Sequence, residues 1–79
     1  MKKAYAVLIN DILQQYHFDA EHSGTNDTLS LGMAFMALQF AAKYSGDTVA
    51  DKEISQMIAD CRKGIIPRPI SGQRDVIYF

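Results

Sequence analysis

Residues 29–44, LSLGMAFMALQFAAKY, decide the fold, because this stretch is too apolar to form one face of an ordinary surface helix. At about 100° per residue, its large apolar residues fall on two nearly opposite sides of a helix. One side carries Leu29, Met33, Met36, Phe40 and Tyr44, and the other carries Leu31, Phe35, Leu38 and Ala42. A helix with two apolar faces must be covered on both of them, either by the rest of the chain or by a second chain.

One face of this helix is predicted to lie in the core and the other to contact a second copy. Helical spacing favours a core position for Met33, Met36 and Phe40, although thioether side chains also suit an adaptable binding surface. The opposite face is where the excess hydrophobicity would meet a second copy. Its predicted self-association residues are Leu31, Phe35 and Leu38. A chain of 79 residues buries only roughly 60% of the surface that it exposes when unfolded. We therefore expect a homodimer.

Two further segments have amphipathic helical periodicity. Residues 3–16 repeat apolar positions in the i, i+3, i+4, i+7 pattern, and residues 49–63 carry a narrower stripe of the same kind. The pattern predicts helices over both ranges, and each is expected to cover one side of a central helix at 28–44. The predicted fold is a mainly α, three-helix domain that spans residues 1–79, with the central helix most buried.

Turn and capping residues separate these helices. Residues 18–27 lose the helical periodicity and gather short polar side chains, which favours a connecting loop. Asp27 or Thr28 is placed to cap the central helix, and Gly46 is placed to end it. Thr48 and Asp51 have the spacing of a capping box at the start of the third helix. Gly64 is predicted to end that helix.

The segment 65–79, IIPRPISGQRDVIYF, contains two prolines and does not continue the helical pattern. Pro67 and Pro69 exclude a continued helix and favour an extended backbone. Ser71 and Gly72 form a turn candidate between two short apolar runs, so the segment is expected to be extended or to form a β-hairpin. A two-stranded hairpin is marginal by itself in water and would have to pack on the helices or on another chain.

A few side chains are candidates for chemistry. His17, Glu21, His22 and Cys61 could support a small enzyme or a metal-binding protein. The histidine spacing matches no established ligand motif, and Cys61 lies on the apolar stripe of the third helix, where a thiol is buried and inert. We expect no catalytic site, metal or cofactor.

The carboxy-terminal part of the chain is locally basic. The residues predicted to contact a partner are Arg62, Lys63, Arg68, Arg74, Tyr78 and Phe79. The same cations, following two closely joined helices, permit a nucleic-acid-binding regulator of helix-turn-helix or winged-helix type. Against that alternative, the third helix opens with Asp51 and Glu53 at the end that would meet the bases.

Composition narrows the class of function only slightly. The net charge is −1, 48% of the residues are apolar, and the single cysteine excludes an internal disulfide. The apolar run at the start is interrupted by Asn10 and Asp11, and the central stretch is too short to cross a bilayer. We expect a cytoplasmic, non-enzymatic interaction module that acts as an adaptor, inhibitor or regulatory subunit, with itself and another protein as partners.

Overall fold

A computed structural model describes residues 1–23 and 27–70 and folds them into three helices. These are α1 (Lys3–Ser23), α2 (Thr28–Ser45) and α3 (Thr48–Arg62). The predicted mainly α fold is confirmed for these residues. The ends of α2 and α3 agree with the predicted ends to within one residue. The most extensive packing is between α2 and α3.

Helix α1 is longer than the sequence pattern predicted. It continues from the predicted end at Tyr16 to Ser23, so the prediction of a loop from residue 18 is wrong for residues 18–23. Side chains one turn apart support this extension. The amide of Gln15 donates to the carboxylate of Asp19 at 2.9 Å. The rings of Phe18 and His22 stack with their centroids 4.0 Å apart. Such i, i+4 pairs stabilise a helix where the residues themselves are only moderate helix formers.

The helix ends of α2 use the predicted capping residues. Asp27 is the N-cap of α2, and its carboxylate accepts the Leu29 N–H at 3.0 Å. Gly46 ends α2 with a φ of 77°, in the left-handed region that favours glycine. At the start of α3 the predicted cap is off by one residue. Thr48 is already helical, and Asp47 caps α3 by accepting the Ala50 N–H at 3.2 Å.

Asp47 also ties the start of the chain to the turn between α2 and α3. Its second carboxylate oxygen accepts the backbone N–H of Lys2 at 2.7 Å. Burial opposes ionisation of this carboxyl, but the N–H donors of Lys2 and Ala50 and the positive charge of Lys2 outweigh that effect, so the pKa of Asp47 is lowered. One carboxylate therefore caps α3 and anchors the residues that precede α1.

The hydrophobic core lies on one side of α2. It combines buried residues of all three helices: Met1, Ala6, Ile9, Leu13, Leu31, Phe35, Leu38, Ala42, Ala50, Ile54, Met57, Ile58 and Cys61. Helices α1 and α3 both pack on this side, and within residues 1–23 and 27–70 no element covers the opposite side of α2. Helices α2 and α3 each bury five residues, so the prediction that α2 would be the most buried helix is wrong. Of the two predicted ways to cover its second apolar face, by the rest of the chain or by a second chain, the described residues do not provide the first.

Between residues 63 and 70 the chain runs back along α3 without regular secondary structure. Gly64 adopts a φ of 80°, and Pro67 is buried. Asn10 of α1 fixes the end of the segment with two hydrogen bonds to Ile70. Its amide donates to the Ile70 carbonyl at 3.1 Å, and its oxygen accepts the Ile70 N–H at 2.8 Å. The predicted hairpin depends on residues 71–79, which lie outside the described part of the chain.

Candidate interaction surface

The largest exposed apolar feature of α2 is a row of five side chains, which we call the α2 stripe. Its members are Leu29, Met33, Met36, Phe40 and Tyr44. They are between 39% and 90% exposed. With about 200 Å² for each large side chain, the stripe presents roughly 600 Å² of surface, most of it apolar. That area is at the upper end of the largest apolar patch on a typical monomeric protein, about 300–600 Å².

The spacing of the α2 stripe is that of a helix-pairing seam. Its members follow one another at intervals of four, three, four and four residues. The first three intervals alternate as the a and d positions of a coiled coil do. On a helical wheel the five side chains lie within about 80° of one another. A row this narrow suits contact with a second helix better than burial in a broad core.

Contacts on one flank fix the orientation of α2 relative to α3. Gly32 brings the two helices close together, since a Cβ added to it would lie 3.3 Å from the Cβ of Cys61. The amide of Gln39 donates to Asp51 at 3.1 Å and also to the hydroxyl of Ser55. These contacts hold α3 against the side of α2 that adjoins Phe35.

The other flank is fixed by α1. The Tyr5 hydroxyl donates to the Ala41 carbonyl at 3.1 Å and lies 2.7 Å from the Ser45 hydroxyl. Helices α1 and α3 therefore hold α2 on its two flanks, and the α2 stripe lies on the outward side between them, with Leu29, Met33 and Met36 along the edge next to α3.

This arrangement corrects the predicted use of the two faces. Leu31, Phe35 and Leu38 were predicted to mediate self-association, but they are buried within the single chain. Met33, Met36 and Phe40, for which the core was favoured, are exposed. The two faces look equally apolar in sequence, and the structure shows that α1 and α3 cover the face of Leu31, Phe35 and Leu38. A surface for self-association therefore has to be sought on the opposite side of α2 from the predicted residues.

Opposite charges mark the two ends of α2. Hydrogen bonds from the Ser30 side chain and from the Leu29 backbone N–H lower the pKa of Asp27, so the carboxylate is negative at neutral pH. Lys43 is exposed in the last turn of the same helix. Each charge is opposite in sign to the helix dipole at its own end, which stabilises α2.

Arg62 lies beside the α2 stripe. It lines a groove between α2 and α3 together with the stripe residues Leu29, Met33 and Met36. The buried Cys61 lies at the same groove, and burial, with a smaller effect of the Asp60 charge, raises the pKa of its thiol. A raised pKa disfavours the thiolate that a nucleophile or metal ligand requires.

The other residues predicted to bind a partner are placed only in part. Arg62 ends α3, Lys63 follows it as the C-cap, and Arg68 is exposed in the segment after α3. The structure brings Arg62 to the α2 stripe but does not group Arg68 with it in that groove. The remaining predicted residues lie outside the described ranges. They are Arg74, Tyr78 and Phe79.

The histidine cluster proposed for an enzyme or a metal site lies on the exposed last turns of α1. His22 stacks on Phe18, and its Nδ1 lies 2.9 Å from the Phe18 carbonyl oxygen. His17 packs edge to face with Tyr16, with a centroid distance of 5.7 Å. Among residues 1–23 and 27–70 there is no group of three or more His, Cys, Asp or Glu side chains that could hold a metal ion. Helical packing within α1 accounts for the placement of both rings.

The described parts of the chain thus form three helices, and one face of α2 is exposed among them. Comparison of the chain with protein-family models, with curated proteins and with solved structures gave no match. In the two described ranges, no helix combines the length and the hydropathy needed to cross a membrane.

Proposed function

We propose that this chain is a non-enzymatic protein-interaction module that binds its partner through the α2 stripe. The observation that carries the proposal is the continuous apolar row along one exposed helix face, with an area of roughly 600 Å². Water contact with such a surface is unfavourable by about 25 cal/mol per Å² of apolar area. Covering the stripe with a partner surface removes this unfavourable contact.

The residue types on the stripe support this use. Phe40 and Tyr44 supply rigid aromatic area, and aromatic side chains are enriched at the centres of protein interfaces. Met33 and Met36 add flexible thioethers that repack against surfaces of different shape. A helix with such a row binds in the groove of a partner or against a partner helix.

The positive charge of Arg62, beside the α2 stripe, suggests that the partner carries an acidic side chain at the margin of the contact. Arg62 lies at the α2–α3 groove next to Leu29 and Met33. A carboxylate on the partner at this margin would meet a guanidinium that is able to form two parallel hydrogen bonds. An adaptor, inhibitor or regulatory subunit would act in this way, by occupying a surface and not by converting a substrate.

The test compares two doubly substituted full-length proteins. Met33→Ser with Phe40→Ser removes the middle of the stripe, and Leu8→Ser with Val49→Ser removes two side chains outside it that are each about half exposed. Each protein carries the same tag and is recovered from the native host. The co-purifying proteins are quantified, and the mass of each purified protein in solution is measured by light scattering. We expect only the stripe variant to lose its partner, whether that partner is another protein or a second copy. The proposal fails if the stripe variant and the wild type show the same bound proteins and the same mass.

A further inference from the structure

We propose that the groove between α1 and α3 binds an extended, proline-containing peptide of a partner protein, and that residues 65–70 of the chain occupy this groove as an intramolecular competitor. The site is separate from the α2 stripe. Helices α1 and α3 contact each other far less than each of them contacts α2. Residues 65–70 bridge the two, since they lie along α3 and end at Asn10 of α1. Their last residue, Ile70, packs against the hydrophobic core.

Helix α1 holds this segment by its main chain. The side-chain amide of Asn10 donates to the Ile70 carbonyl at 3.1 Å, and its oxygen accepts the Ile70 N–H at 2.8 Å. The two bonds reproduce the exchange of N–H and C=O groups between paired β-strands. Main-chain hydrogen bonds of this kind give affinity for an extended backbone whatever side chain it carries at that position. The contact therefore does not require that the backbone belong to the same chain.

The burial of the segment follows the period of a polyproline II helix. Pro67 is buried and Ile70 is half-buried, while Arg68 and Pro69 between them are exposed. A polyproline II helix has three residues per turn, so residues 67 and 70 lie on the same side of it. Proline restricts the free peptide to this conformation and so reduces the entropy that binding costs. The groove thus selects a proline and an aliphatic residue three positions later.

Helix α3 adds a preference for a basic residue between these two. Glu53 and Asp60 line the groove together with Arg68 and the buried Met57. The two carboxylates give this margin a negative charge, which favours a cation at the position of Arg68. The segment leaves a cleft of about 420 Å³ along α3, so it does not seal the groove. The ligand is therefore a peptide with the pattern proline, basic residue, any residue, aliphatic residue.

The intramolecular segment can be displaced without unfolding a helix. Helix α3 ends at Arg62, before the segment begins. Ile65 and Ile66 are 51% and 37% exposed, so neither is anchored in the core. Opening a short segment of this kind costs less free energy than unfolding the whole domain. A partner peptide that matches the pattern then takes the place of residues 65–70.

The test uses the full-length protein and the synthetic peptide IIPRPI, labelled with fluorescein at its amino end and amidated at its carboxyl end. Binding is measured by fluorescence anisotropy. Pro67→Ser with Ile70→Ser weakens the competitor and leaves α1 and α3 unchanged. This variant should bind the peptide roughly tenfold or more tightly than the wild type, because an intramolecular segment competes at a millimolar effective concentration. Adding Asn10→Ala should weaken binding again by about tenfold, since two hydrogen bonds are lost.

Matched peptides test each part of the pattern. Serine in place of the peptide residues that correspond to Pro67 and Ile70 should abolish binding. Glutamate in place of the arginine should weaken binding several-fold at low salt, and salt should reduce the difference. The scrambled peptide PIIRIP has the same composition without the pattern and is the control for non-specific binding.

A measurement on the wild type covers the case in which the doubly substituted protein loses its helices by circular dichroism. A large excess of the peptide should shift the NMR signals of the Asn10 side-chain amide and the Ile70 N–H, whereas the scrambled peptide should not. A folded variant that binds no peptide, binding that survives Asn10→Ala, or a wild type without these shifts when the variant is unfolded would each overturn the site. So would a wild-type dimer that Asn10→Ala converts to a monomer, because the segment of a second copy would then fill the groove.

Discussion

Two phenylalanines on α2 provide a matched test of which face is the core. Phe35 is 0% exposed and Phe40 is 58% exposed in the single chain. Phe35→Ala should lower the free energy of unfolding by about 3–5 kcal/mol, the loss typical of a buried phenylalanine. Phe40→Ala should change it by less than about 1 kcal/mol, because the smaller loss of burial is partly offset by the higher helix propensity of alanine. For a chain of this length, with a total stability of roughly 4–12 kcal/mol, the first loss is large.

The measurement is urea unfolding followed by circular dichroism, at low and at high protein concentration. At low concentration Phe35→Ala should reduce the midpoint by about 2 M or more, while Phe40→Ala leaves it nearly unchanged. If a second copy covers Phe40, a loss for Phe40→Ala should appear at high concentration and grow with it, because mass action stabilises a dimer. Similar losses for both variants at low concentration would refute the assignment of the two faces.

Three further outcomes follow from contacts away from the stripe. Asp47→Asn keeps a capping side chain but removes the charge. Because the pKa of Asp47 is lower in the folded chain than in the unfolded one, its contribution is complete above the unfolded pKa and is lost as the pH falls through the folded pKa. The wild type should thus lose more melting temperature below about pH 4 than this variant does. Asn10→Ala should cost about 1–3 kcal/mol and speed hydrogen exchange at the Ile70 amide, since both hydrogen bonds to Ile70 are lost. Cys61 should react slowly with a thiol reagent in the folded chain and rapidly in urea, and fast reaction without urea would contradict its burial.

Local signals were sufficient to predict the number of helices and most of their ends. Asp27 and Gly46 could be identified from sequence because a carboxylate before a helix and a glycine after it satisfy backbone groups near them in the chain. The end of α1 could not be found in this way. Short polar residues indicated a loop, whereas pairs such as Phe18 and His22, one helical turn apart, prolong the helix.

The choice between the two faces of α2 could not be predicted from hydrophobicity, because both faces are apolar. It depends on contacts between residues that are far apart in the sequence. Two residues on the flank of α2 carried a usable signal. Gly32 permits the close approach of α3, and Gln39 finds hydrogen-bond partners there. A glycine and an amide on one flank of an otherwise apolar helix indicate the flank on which a neighbouring helix packs. Because that flank adjoins both apolar faces, it does not identify the exposed one, which depends on where α1 packs as well.

Helix α2 is ordered before it binds, which reduces the free-energy cost of binding. A segment that folds only when it binds loses about 2–5 kcal/mol of its interaction energy to ordering, whereas a helix that is already fixed does not. Helix α2 is capped at both ends and is held by Tyr5 on one flank and by Gln39 on the other. Its exposed side chains therefore keep a fixed spacing before any partner arrives. Under the proposed function, a partner that bound the α2 stripe would then lose none of its binding energy to the folding of α2, and a partner shifted by one residue along the helix would meet a different set of side chains.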